Sequence, residues 1–304
     1  MKRIVVLLAA MSLSALPSLA QNPRSFVATT GNDANTCTRN NECRTFARAL
    51  AVTNAGGEVI AIDSGGFGPF YVSQAVTVAA APGVIASLTG VAPISAVSVN
   101  APSTARVVLR GLTIIMPPTT SAIAVAATGF GELDISHCTV TGGGDGILVA
   151  GPAGSFATIS DSVASDAYGA NIAVFFTPTR ILRSRAENGH NVGVGVYNTT
   201  ATLTDVVADG NVFTGFDISS NTANTFVTLD HCSATRDFTG VAVGVAANAS
   251  TTSTVRMNNC VVTESGQYGV VQISGGFVMS MGNNLIEGSG LGDVNGTITP
   301  LTKY

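Results

Sequence analysis

The sequence predicts an all-β solenoid, a parallel β-helix, and three observations lead there. The first is a recurring phrase. Taking an aliphatic residue as position zero, equivalents stand at Leu109, Ile135, Ile159, Ile181, Leu203, Leu229, Met257 and Met281, spaced by 22 to 28 residues. A repeat of that length marks stacked supersecondary units. The second is the apolar spacing inside each phrase. Positions three and five, such as Cys138 and Val140 or Ser162 and Ala164, continue a period of two after one single-residue slip. That slip reads as a bend between two short strands whose inner faces share one core. The third is composition. Charged residues are only 11%, against roughly 25% in an ordinary soluble domain, while Gly, Ala, Val, Thr, Ser and Asn dominate, as in strands and turns. No segment sustains a helical period long enough for a leucine-rich or ankyrin array.

Residues 1–20 read as an export leader, with Lys2 and Arg3 ahead of an apolar run and Ser18-Leu19-Ala20 as the cleavage site. The mature chain contains no other apolar run long enough to span a bilayer. Residues 21–57 read as an N-terminal cap. Within it, residues 42–57 place Cys43, Phe46, Ala47 and Leu50 at helical spacing, with Gly56 and Gly57 as the stop. Cys37 and Cys43 bracket the loop CTRNNEC and read as a disulfide that pins this short capping helix over the coil. Residues 58–288 are the coil. In each repeat a glycine at 146, 169, 193, 215, 240 or 269 opens a third short strand. Residues 289–304 form a tail that covers the other end.

Stretches FVATTGNDANTC, ECRTFARAL, GGEVIAIDSGGFG and MGNNLIEGSG resemble those of exported bacterial β-helix-repeat proteins. More broadly, the chain resembles the pectin-lyase-like, right-handed parallel β-helix superfamily, over nearly its whole mature length. That resemblance implies a right-handed coil and leaves activity open, because one fold hosts many functions. Polygalacturonase-like enzymes carry Asn-Thr-Asp, a double aspartate, Gly-His-Gly and Arg-Ile-Lys in that order. Here only Asp145, Arg180-Ile181-Leu182 and Gly189-His190-Asn191 echo them, incomplete and out of order. Pectate lyases need an arginine base beside several calcium-binding acids, and no such group stands out.

Stacking turns the repeat into a map of neighbours. Position two reads Gly111, His137, Asp161, Arg183, Asp205, His231, Asn259 and Asn283. Three rungs lie between His137 and His231, which puts them roughly 19 Å apart, so they are no catalytic pair. His137, Asp161, Arg183, Asp205 and His231 alternate acid with base and form a candidate binding stripe for a sugar or an acidic polymer. The plainer reading is a polar ladder at a bend that demands left-handed backbone angles. A second cluster at positions six to eight holds Asp166, Glu187, Asp209, Arg236, Asp237 and Glu264. Glu187 and Asp209 share a position one rung apart. At about 5 Å such carboxylates can act as acid and base or hold calcium, with Asp166 or Arg236 assisting. Solvated turn charges are the alternative. Cys138, Cys232 and Cys260 read as small core residues.

The formal charge of −4 argues against a nucleic-acid partner, which calls for a basic stripe. The favoured reading is an exported binding or surface-structural module for polysaccharide or cell-envelope material, secreted or periplasmic, with surface attachment compatible. No cofactor or metal is required. The competing reading is a polysaccharide lyase or glycoside hydrolase acting on acidic polysaccharide through Glu187, Asp209, Asp166 and Arg236. A groove walled by longer turns between Leu203 and Met257 would favour the enzyme.

Overall fold

The structure, a computed structural model, describes residues 22–117, 122–245 and 250–301; the leader read in residues 1–20 lies outside them. The chain winds as a right-handed parallel β-helix with three sheets of twelve, ten and ten strands. One rung shows the plan. Glu132–Ser136 lies in the first sheet, Thr139–Thr141 in the second and Ile147–Val149 in the third. Each pairs in parallel with its equivalent one rung before and after.

Alternation decides which side chains enter the core. Leu109, Ile135, Ile159, Ile181, Leu203, Leu229 and Met257 pair in register and form one interior column, each no more than 1% exposed. A parallel column of Ile114, Val140, Ala164, Ala186, Ala208, Ala234 and Val262 faces it from the second sheet. Burying each such aliphatic side chain contributes ~1.5–3 kcal/mol, set against the entropy of ordering its rung.

Between those columns lies position three, where small polar residues are buried for a specific reason. The bend interrupts the strand ladder and leaves one amide facing inward. The Ser162 hydroxyl accepts from Cys138 N at 3.1 Å, Ser184 accepts from Ser162 N at 3.2 Å, and Asn284 accepts from Cys260 N at 2.8 Å. Each side chain thus satisfies the amide of the preceding rung, as a buried donor requires. Cys138, Cys232 and Cys260 are buried free thiols in this column.

The short helix spans Phe46–Ala51, six residues rather than the wider window 42–57. Thr45 caps it, accepting from Arg48 N at 3.2 Å. It ends early because Thr53 Oγ1 bonds the Ala49 carbonyl at 2.7 Å and starts the strand Thr53–Ala61. Gly56 and Gly57 therefore belong to a strand, not to a helix stop. Phe46, Ala49 and Leu50 are buried, whereas Ala47 is exposed. Phe46 packs on Phe67 and Phe70 with ring centroids 5.4 and 5.3 Å apart, closing the N-terminal end. Cys37 and Cys43 are disulfide-bonded beside it.

The coil extends past the expected bounds at both ends. Asn22–Val27 already pairs with Thr53–Ala61, and Gly292–Asn295 and Ile298–Pro300 continue the third and first sheets. Two positions of the repeat shift. In the last rung Ser280, not Met281, pairs with Met257; the extra residue is absorbed at Gly282, whose φ of 79° makes it the bend residue in place of Asn283. Gly169 stands outside the glycine column, because Ala170 pairs with Val192 and Ile172 with Val194, leaving Asn171 opposite Gly193.

Candidate functional site

The position-two stripe is a column of left-handed residues. Gly111, His137, Asp161, Arg183, Asp205, His231 and Asn259 all have φ between 45° and 69°. One residue at positive φ turns the chain from the first sheet to the second, and its side chain is thrown outward. Within the stripe, Arg183 and Asp161 form a bidentate pair at 2.7 and 2.9 Å, and the Arg183 guanidinium holds the Asp161 carboxyl below its ordinary range. The rest does not pair as the alternation suggested. His231 turns to its chain neighbour Asp230, with Nδ1 3.0 Å from Oδ1, and Asp205 makes no side-chain hydrogen bond among the described residues. Sequence order placed these groups on adjacent rungs, but side-chain direction at a bend lets His231 take a partner on its own strand instead.

The second cluster straddles the other bend. Asp166, Asn188, Gly210, Arg236, Glu264 and Gly288 form a second left-handed column, φ 53° to 73°, so Asp166 and Arg236 are bend residues first. Glu187 and Asp209 are register partners one rung apart. Each carboxylate is nonetheless held by its own arginine. Glu187 is paired with Arg185 of its own strand, two residues earlier. Asp209 accepts from Arg236 Nε at 2.9 Å, is also paired with Nη2, and accepts from Thr235 Oγ1 at 2.7 Å. The Arg236 hydrogen bonds push the Asp209 carboxyl below its ordinary value. A carboxylate neutralised in this way is a poor proton donor at neutral pH and a poor calcium ligand. Among the described residues, no three His, Cys, Asp or Glu side chains converge as a metal site would need.

Beside that bend, Asp237 points inward, into a polar ladder that sequence reading missed. Asn171 Nδ2 donates to Asn211 Oδ1 at 3.0 Å, and Asn211 donates to Asp237 Oδ1 from both N and Nδ2, at 2.8 and 2.9 Å. Burial pushes the Asp237 carboxyl up to about 7, and its Oδ2 has no partner. The signal in the sequence was the glycine column. A Cβ at Gly215 would lie 2.3 Å from Asp237 Oδ2, so glycine there vacates the space the carboxyl fills.

On the outside of the same edge, rings project into solvent. Tyr168 stacks on His190 with centroids 6.2 Å apart, and Phe213 meets Phe238 at 6.0 Å. Tyr168 borders an open pocket of about 450 Å³ together with Ile123, Gly144, Asp145, Gly169 and Asn191. Asp145 Oδ1 accepts from Ala170 N at 2.9 Å, and burial raises its carboxyl above the ordinary value. A Cβ at Gly169 would come within 2.5 Å of that Oδ1; the glycine keeps the pocket floor open to the carboxylate. An aromatic wall, a carboxylate acceptor and an amide in one concavity suit a ligand that presents both apolar faces and hydroxyls.

Residues 95–289 match the family described as right handed beta helix region. No curated protein matches the chain. The crystal structure of pectate lyase Pel9A superposes with a TM-score of 0.65 at 14% identity, covering 88% of this chain and 79% of the lyase. A rhamnogalacturonan lyase superposes with a TM-score of 0.45 at 14% identity, covering 84% and 73%. Identity this low speaks to the coil alone. Among the described residues, no helix is long and apolar enough to cross a membrane.

Proposed function

Given that the chain belongs to the right-handed β-helix family, we propose that it is an exported module that binds polysaccharide or envelope glycan without turning it over. The observation that supports this reading is the state of the two best acid–base candidates. Glu187 and Asp209 stand one rung apart, yet each is neutralised by an arginine of this chain, and Asp209 is held ionised. Acid–base cleavage needs a pair of carboxyls whose proton affinities are pushed apart and which are free to reach a glycosidic oxygen. The pocket at Tyr168 offers recognition chemistry instead: a ring for a sugar face, and Asp145 and Asn191 for hydroxyls.

The test is a survey of neutral and acidic polysaccharides by affinity gel electrophoresis, run beside assays for unsaturated products and new reducing ends. Retardation without product is expected, weakened about 3- to 10-fold by Tyr168→Ala, the range for losing one aromatic stacking contact. Turnover that disappears in Glu187→Ala would overturn the reading in favour of a lyase or hydrolase.

A further inference from the structure

The outer face of the first sheet carries a motif that appears twice. Phe156 lies on one rung, and Arg180 on the next sets its guanidinium carbon 5.5 Å from the centre of that ring. Three rungs further, Phe226 is followed on the next rung by Arg256, 4.6 Å from its ring centre. Register runs Arg180 to Thr202, Thr202 to Thr228 and Thr228 to Arg256. The two arginines therefore share one outward column about 14 Å apart. Between them lies a trough of about 240 Å³ floored by Thr200, Thr202 and Thr228.

Pairing separates these two arginines from the others along the coil; in the N-terminal cap, Arg39, Arg44 and Arg48 also have no carboxylate partner among the described residues, and Arg44 donates to the Gly66 carbonyl. Arg24, Arg106, Arg110, Arg183, Arg185 and Arg236 each pair with a carboxylate, whereas Arg180 and Arg256 pair with none among the described residues. Both are exposed. A guanidinium lying on a ring is held in place by its face, so its in-plane N–H groups remain free. That is the geometry for a bidentate bond to a planar or tetrahedral anion. Asp134, two rungs before Arg180 in the same column, bars an anionic strand from running further towards the N-terminus.

We infer that Arg180 on Phe156 and Arg256 on Phe226 are twin anion clamps that hold acidic groups three rungs apart on a glycan strand lying along the coil axis. This rests on the polysaccharide reading above and adds a second contact surface and the charge class of the ligand. The threonine hydroxyls between the clamps meet the hydroxyls of the intervening sugars. A net-negative chain whose coil, among the described residues, leaves two arginines unpaired selects an anion at each clamp rather than attracting polyanions at large.

The experiment measures binding of the full chain to polygalacturonate, dextran sulfate and neutral dextran, by calorimetry and affinity electrophoresis. Wild type is compared with Arg180→Gln, Arg256→Gln, the double variant and Arg180→Lys, each verified as folded by circular dichroism. Each Gln substitution should weaken an anionic glycan about 10-fold or more, the cost of one charge-assisted bidentate contact, and Arg180→Lys should recover only part. The two losses should be coupled for oligosaccharides long enough to reach both clamps and independent for shorter fragments. Preference between polygalacturonate and dextran sulfate tells carboxylate from sulfate ester. Anionic binding unchanged in the double variant, or duplex DNA competing as well as the glycan, would overturn the clamps while leaving the polysaccharide reading in place. A wild-type chain that binds none of the three polysaccharides would overturn both.

Discussion

Replacing Asp237 with asparagine should remove this residue's share of the stability loss that the protein shows as pH rises from about 4 to 7. The carboxyl is 1% exposed. One oxygen takes two hydrogen bonds from Asn211 and the other takes none. Burial is the larger influence and outweighs those bonds, lifting the group from 3.8 to about 7. The native state therefore keeps a proton that the unfolded chain releases, and stability falls as pH rises through this interval. A shift of some three pH units at ~1.4 kcal/mol each corresponds to about 4 kcal/mol. That contribution is fully present below about pH 4 and gone above about pH 7. Asp209 and Asp161, held low by arginines, act with the opposite sign and lose their contribution as pH falls below about 4. Asp145 and Asp217, raised by burial, add to the alkaline loss, so the informative quantity is the difference between wild type and variant. Asparagine keeps the acceptor that Asn211 needs and carries no charge. Urea unfolding of both proteins from pH 4 to 8 should show two curves that diverge with rising pH, the variant the more stable at pH 8. Parallel curves would refute the burial argument.

Two further outcomes follow from the bends and the core. His231→Gly should stabilise the chain by about 0.5–1 kcal/mol, because φ is 53° and the side chain is exposed. A left-handed non-glycine residue costs about 1–2 kcal/mol, part of which glycine's greater chain entropy offsets; a lower melting temperature would contradict this. Gly215→Ala should destabilise by about 1–3 kcal/mol, since the new Cβ would meet Asp237 Oδ2 at 2.3 Å and Gly240 O at 2.8 Å. An unchanged urea midpoint would show that the ladder can move aside.

The coil was legible in the sequence because its period constrains every rung in the same way. Strand residues have only two faces, so a single interior column from Leu109 to Met257 follows once the repeat is seen. The register slips where the pattern was carried by glycine alone. Gly169 and Asn171 are two residues apart and both tolerate a bend, and nothing in the apolar spacing says which one faces Gly193. The end of the helix was hidden for a related reason: Thr53 stops it through a side-chain bond to Ala49, a local event with no periodicity to betray it.

Site chemistry was less legible, and the reason is geometric. Stacking fixes which backbone positions are neighbours, and Glu187 and Asp209 are neighbours as read. It does not fix where a flexible side chain points. Arg185 reaches Glu187 along its own strand, and Arg236, from a bend, reaches back one rung to Asp209. Two carboxylates that looked like a cooperating pair thus became two separate ion pairs. The same freedom works the other way on the first sheet. There Arg180 and Arg256 find aromatic rings and no acid, and their charges stay available. In a solenoid of such regular backbone, function is written in which charges the chain leaves unspent.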